Sequence, residues 1–301
     1  MKKKIDTLLS IVIITILLPL FITIICQRMH LEEVLYGELN VSGESAGTAD
    51  IEEKVIGITA KEIGAGSKEE AILAQCVIAR TNLYDALARN TDEPAALTVD
   101  EMKELWGEDF EKIYQKFEDC AARTKDEVLV WNGGCIYAAY HALSAGQTRD
   151  MTEFSGDVKL PYLTEQECQA DITAEGYLAV TYCEMDDFIR QCQEAFPEAG
   201  ITELSQLTVV SRDAVGYVKE LKVGSLTCMG EEFRSRMGWN SACFTVTEID
   251  SEVRIVTKGL GHGFGLSQNQ AEHMAGEGKT YEEILAYFYP GTELTTADTI
   301  K

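Results

Sequence analysis

Gly259-Leu260-Gly261-His262-Gly263-Phe264-Gly265-Leu266-Ser267-Gln268 divides a run of short predicted strands from two closing helices, and the fold class turns on it. Its four alternating glycines let bare backbone approach another group while presenting His262, Ser267 and Gln268. A phosphate loop is excluded because no Gly-Lys-Ser/Thr follows. A dinucleotide fingerprint is excluded because Phe264 stands where a third glycine is required. Tight turns between structural elements are the alternative use of these glycines.

Working outward, residues 205–258 read as short strands interrupted by a helix near Glu231 to Arg236, and 186–196 read as a helix. Beyond the glycines, Thr280 with Glu283 forms a capping box for the second closing helix. Nearer the N-terminus, Ser67 with Glu70 reads as another. It opens a helix over 68–89 whose apolar face is Ile72, Cys76, Ala79, Leu83 and Leu87. A second helical stretch covers 99–123. From Cys135 to Leu143 the parity pattern is that of a strand, with His141 sharing a face with aromatics. Helices, then strands, then helices, with no internal repeat, predict an α+β fold: one exterior domain of mixed helices and short strands over 51–296.

The first fifty residues have a different composition. Residues 1–7 include Lys2-Lys3-Lys4, and 8–26 carry no charge. Nineteen residues at about 1.5 Å each reach roughly 28 Å, the thickness of a bilayer's hydrocarbon core. No small-residue cleavage site follows Ile24-Ile25-Cys26, so the segment predicts an uncleaved transmembrane helix. The lysines hold the N-terminus in the cytoplasm and place the rest outside, as a single-pass protein of a bacterial cell membrane. Residues 27–50, Gly- and Ser-containing and without apolar periodicity, predict a flexible stalk. Gly43-Glu44-Ser45-Ala46-Gly47 matches a nucleophile elbow by chance, since neither the strand nor the helix that motif needs surrounds it.

From Gln27 onward 23 Lys and Arg face 49 Asp and Glu, a balance of −26, which excludes a general nucleic-acid binder. Eight cysteines lie outside the membrane segment, none spaced as Cys-x-x-Cys, so neither a zinc ribbon nor a thioredoxin-type motif is offered. Cys76 is expected as a buried thiol on an apolar helix face. His-Glu-x-x-His is absent, which excludes a zincin. No metal and no cofactor is expected. Glu62, ending the apolar run Ile58-Thr59-Ala60-Lys61-Glu62 just before a helix, reads either as a favourable charge for that helix's dipole or as a general acid whose pKa is raised by burial. Lys61 beside it lowers that pKa unless it points away.

Three blocks in order resemble the stage II sporulation protein D family, bacterial proteins of cell-wall remodelling that include amidase-enhancer relatives. The first is Ala60-Lys61-Glu62 with Glu70-Ala71-Ile72-Leu73-Ala74-Gln75-Cys76-Val77-Ile78-Ala79-Arg80-Thr81. The second is His141-Ala142-Leu143-Ser144-Ala145-Gly146-Gln147-Thr148 with Pro161-Tyr162-Leu163. The third is the glycine stretch, continued through Gln270-Ala271, Tyr281 to Leu285 and Tyr289-Pro290-Gly291-Thr292. Arg149 stands where the family commonly has an acid.

The resemblance implies a lytic transglycosylase that cuts between N-acetylmuramic acid and N-acetylglucosamine in peptide-stripped peptidoglycan, with Glu62 as the catalytic acid. It also implies a sporulation complex with a cell-wall amidase and a membrane partner. On the same footing, Arg80 is a candidate for pairing with the lactyl carboxylate, its structural alternative being a salt bridge. Ser144, Thr148, His262, Ser267 and Gln268 are candidates for binding sugar hydroxyls or orienting Glu62. His141 is either a site residue or a polar residue packed among tyrosines. A non-catalytic glycan-binding amidase enhancer is the alternative function.

Overall fold

The computed structural model describes residues 51–154 and 160–299. The proposed anchor, the stalk and the Gly43–Gly47 match lie outside the described residues. Among the described residues no helix is long and apolar enough to cross a membrane.

Two buried helices organise the first half. Helix α1, Ile51–Glu62, buries every residue from Val55 to Ala60. Helix α2, Glu69–Arg89, buries an unbroken run from Ala71 to Leu83. The single apolar face expected of α2 is therefore only part of it. A helix buried on all sides must satisfy its polar residues internally, and each ties down a different segment. Arg80 binds Glu52 of α1, Thr81 accepts the Leu129 N–H at 3.0 Å, and Asn82 exchanges bonds with the Ala138 N–H and C=O at 2.9 and 3.1 Å. Leu87, expected on the apolar face, is 44% exposed.

The Ser67 capping box is absent. Lys68 is the N-cap residue and no side chain caps the helix. Glu70 instead accepts the Tyr281 N–H at 2.7 Å, tying the start of α2 to the closing helices. Helices α3, Val99–Trp106, and α4, Phe110–Arg123, fill the predicted 99–123 stretch with a short 3-10 turn between them. They complete a core with α1 and α2 around Ile58, Leu73, Cys76, Phe117 and Cys120.

The alternating strand expected over 135–143 is not formed. Strand β1, Glu127–Trp131, turns into β2, Gly134–Cys135, and Ile136 to Ala139 are then buried irrespective of parity. Only Tyr140–His141, β3, pairs again. Short helices α5, Met151–Phe154, and α6, Gln169–Ile172, follow.

A second core, around Phe188, Phe196, Phe233 and Phe244, lies in the strand-rich region. Strand β4, Leu178–Glu184, leads into helix α7, Met185–Ala195. Strands β5, Leu207–Arg212, β6, Val218–Val223, and β7, Leu226–Met229, form one antiparallel sheet, followed by helix α8, Gly230–Met237. Strands β8, Phe244–Ile249, and β9, Glu252–Lys258, complete a second sheet in the order β4-β9-β8. This is the predicted succession of short strands around a helix near Glu231.

The glycine stretch then returns to the first half. Its end, β10, Leu266–Ser267, pairs in parallel with β3, placing Leu266 beside Tyr140 and Ser267 beside His141. Helices α9, Gln268–Gly276, and α10, Tyr281–Phe288, close the chain, the latter with the expected Thr280–Glu283 capping box. The sequence pattern shows no sign of β11, Glu293–Thr296, which pairs with β1.

The four glycines do bring backbone close, but to the protein itself. All have positive φ. A Cβ on Gly265 would sit 1.9 Å from the Ala139 carbonyl oxygen, and one on Gly261 would sit 2.7 Å from the His141 Cβ. Gly265→Ala therefore combines a left-handed φ with a backbone clash, and is expected to destabilise the fold by more than about 2 kcal/mol. Urea denaturation checks this as a lowered midpoint.

Candidate active site

Glu62 is the last residue of α1, so it sits at a helix C-terminus as well as just before α2. The residue is half-buried. Gln75, on the second turn of α2, donates from Nε2 to Glu62 Oε2 at 2.7 Å. Gln268, at the start of α9, donates from Nε2 to the Glu62 carbonyl at 2.8 Å and lies 3.3 Å from Gln75 Oε1. Tyr140 from β3 adds a side-chain hydrogen bond to the carboxylate. The cluster thus draws on α1, α2, β3 and α9, and the β3–β10 pairing sets the last two side by side.

Burial pushes the Glu62 carboxyl up to about 7, against smaller opposing effects from Gln75, Tyr140 and, last, Lys61. Lys61 is exposed and its effect is the smallest of those named, so it does not hold the acid ionised. Desolvation outweighs any attraction of the α2 N-terminus for a negative charge, which disfavours the helix-dipole account of this residue. Among the described residues the cluster contains one carboxyl.

Of the residues expected around Glu62, the structure brings Gln268 to it. Arg80 goes elsewhere. Its guanidinium is 0% exposed, holds both Glu52 oxygens at 2.6 and 2.8 Å, and donates to the Ala121 and Glu127 carbonyls, so it cross-links helices and cannot meet a lactyl carboxylate. Ser144, Thr148 and Ser267 are likewise fully buried and engaged internally. Ser144 Oγ accepts the Gly146 N–H. Thr148 Oγ1 donates to the Thr164 carbonyl and accepts the Gln166 N–H. Ser267 Oγ donates to Asp171 and accepts the Gln270 N–H that begins α9. Each is a support beneath the site and offers no surface for a sugar.

The two histidines form a buried pair with ring centroids 5.7 Å apart. His141 Nδ1 lies 3.0 Å from the Phe264 carbonyl and so carries the proton there, while His262 Nδ1 accepts the Phe264 N–H at 3.0 Å. Burial first, then the neighbouring His262, push His141 down to about 3, so it is a neutral packing residue near neutral pH. Both rings lock the glycine stretch against the second block.

Three participants lack a sequence signal. Gln75 and Tyr140 hold Glu62, and nothing in their local pattern distinguishes them from core residues. Asp171 is fully buried. It accepts the Ser144 N–H at 2.8 Å, the Ser267 hydroxyl at 2.7 Å and the Asn269 amide at 3.0 Å, so one carboxylate joins the second and third blocks beneath Gln268.

All eight cysteines of the described residues are free thiols, with Cys76 buried as expected. Among the described residues no group of three or more His, Cys, Asp or Glu side chains could hold a metal ion.

The first of the three blocks falls within the residues matched by a known family model. Residues 42–131 match the SpoIID family model, described as Stage II sporulation protein. Stage II sporulation protein D of Bacillus subtilis (strain 168) is 29% identical over 272 residues, covering 85% of this chain and 78% of the relative. The protein of the same name from Bacillus amyloliquefaciens is 27% identical, covering 85% and 77%. An amidase enhancer of Bacillus subtilis (strain 168) is 24% identical over 80% of this chain and 40% of its own length. The chain is thus similar over most of its length to stage II sporulation proteins D, which points to a role with the cell wall in sporulation.

Proposed function

We propose that this protein is a lytic transglycosylase acting on peptide-stripped peptidoglycan, anchored by residues 8–26 with the domain outside the cell membrane. The observation that carries the proposal is Glu62, a lone acid on a half-buried residue, its carboxyl raised to about 7 by burial and oriented by Gln75 and Tyr140. An ordinary glycosidase needs two carboxyls. One suffices when the substrate supplies the nucleophile. Protonated Glu62 gives its proton to the glycosidic oxygen as the bond to the muramic acid anomeric carbon breaks. The sugar's own 6-hydroxyl oxygen then bonds to that carbon, and its proton passes to the Glu62 carboxylate. No water is consumed, the product is a 1,6-anhydro end, and Glu62 returns protonated.

Incubation of the protein with denuded glycan strands is expected to give fragments lighter by one water than hydrolysis products, read by mass spectrometry. Hydrolysed ends, or none, overturn the proposal. The relative named amidase enhancer favours a second reading, a glycan-binding partner of a cell-wall amidase, which predicts strand binding without cleavage.

The acid form of Glu62 is the starting state, so activity is expected to fall as pH rises through about 7. Tyr140 stabilises the ionised carboxylate. Tyr140→Phe is therefore expected to raise the Glu62 pKa and move the alkaline limb of kcat/KM to higher pH. A limb that stays in place or moves down contradicts this assignment.

A further inference from the structure

Strand β4 lies at the edge of its sheet, bonded on one side to β9. Just beyond its two ends, the Gly259 N–H donates to the Tyr177 carbonyl at 2.8 Å and the Met185 N–H to the Ser251 carbonyl at 3.1 Å. The register between them is unbroken, Leu178 facing Lys258 through to Glu184 facing Glu252. Bonded and non-bonded pairs alternate in an antiparallel ladder. Ala179, Thr181 and Cys183 therefore bond to β9, while Leu178, Val180 and Tyr182 direct their N–H and C=O groups outward. No described residue bonds to those outward groups.

The same three residues put their side chains on the solvent face of the sheet, where they are 55%, 41% and 53% exposed. Val256 of β9 lies between Arg254 and Lys258 on that face. Natural edge strands are protected by lysine, proline or a bulge. From Leu178 to Cys183 β4 has none of these. Its far end is acidic, with Glu184 and Asp186 exposed and Glu252 beside them.

We propose that β4 is a docking strand for an extended segment of another protein. That segment carries apolar side chains at alternate positions, to cover Leu178, Val180 and Tyr182, and a lysine or arginine at the end that meets Glu184, Asp186 and Glu252. Main-chain bonds give such strand addition its affinity and the alternate side chains its specificity. The charge decides between partners. With a balance of −26 from Gln27 onward, a basic segment is attracted and a second copy of this chain is repelled.

The test begins in cells making the full chain, with a photo-crosslinking phenylalanine analogue in place of Tyr182 and sequencing of the crosslinked peptide. The expected result is one segment of another protein with the stated pattern. That segment, synthesised as a peptide and added to the unlabelled protein, is expected to slow amide exchange at Val180 and Tyr182 by at least about tenfold, leaving Thr181, already in the ladder, little changed. Val180→Pro removes an outward N–H without touching the β4–β9 bonds, and an unshifted thermal transition shows that it folds. It is expected to abolish binding, whereas Val180→Thr retains it. Glu184→Lys is expected to weaken binding, and reversing the peptide's basic residue to glutamate restores it. Crosslinking only to a second copy, no crosslink, or binding indifferent to Val180→Pro overturns the proposal.

Discussion

Glu62→Gln is expected to abolish glycan cleavage while making the folded protein more stable above neutral pH. The loss of rate follows from the double use of one carboxyl. General acid–base catalysis contributes about 10²- to 10⁴-fold, and an amide can neither give nor take the proton, so a fall of at least about 10³-fold in kcat is expected on denuded strands. The gain in stability follows from linkage. Folding raises the Glu62 pKa from the ordinary 4.5 to about 7. Between those values the folded protein holds a proton that the unfolded chain has released, so stability falls as pH rises through this window and stays lower above it. Glutamine does not titrate and removes that fall. The shift corresponds to roughly 3 kcal/mol as an upper bound, reduced because the residue is only half-buried. Denaturation midpoints of the two proteins should therefore converge near pH 4 and separate toward pH 8, with the variant higher. Strand binding that survives in the variant separates loss of chemistry from loss of the site. Cleavage that survives sinks the assignment of Glu62.

Much of this site was legible in sequence at the level of segments, and little of it at the level of partners. The strand-rich region, the α8 helix and the Thr280 cap follow from period and local chemistry, which a few neighbouring residues determine. Glu62 stands out because an acid ending an apolar run conflicts with its surroundings unless it has a use. The supports are different. Gln268 reaches Glu62 across 206 positions and Ser267 reaches Asp171 across 96, so no periodicity records either contact. Ser144, Thr148 and Ser267 are the residue types that hydrogen-bond sugars, but the same hydroxyls satisfy buried backbone, and only burial tells the two apart. Strands β3 and β10 have two residues each, too short for alternation to register, yet their pairing positions Tyr140 and Gln268. Four glycines in seven residues read as room for a ligand. In the fold that room is occupied by Ala139, His141, Leu143 and Tyr217.

Arg149→Met is expected to cost about 3–5 kcal/mol of stability, the largest loss among single changes to the supports of the site. Arg149 is fully buried. Its guanidinium donates to Asp213 at 2.6 Å, to Glu231, and to the His262 carbonyl at 2.9 Å. The rings of Tyr217 and Phe264 each lie 4.4 Å from its central carbon, and Phe154 lies 5.0 Å away. Its own N–H donates to the Gly263 carbonyl, so the residue grips the glycine stretch by both main chain and side chain. Methionine fills much of the same space but leaves the buried Asp213 carboxylate without its cation. Glu231 keeps Arg234 at 2.6 Å and is the less exposed to the change. The buried arginine is thus accommodated by the two carboxylates that face it. Arg149→Lys should recover only part of the loss, because an ammonium cannot span Asp213, Glu231 and the His262 carbonyl with a planar fork. Combining Arg149→Met with Asp213→Asn separates the two contributions. If the stranded charge dominates, the double variant is more stable than Arg149→Met alone. If the lost grip on Gly263 and His262 dominates, it is not, and glycan cleavage falls in both through displacement of Gln268 from Glu62.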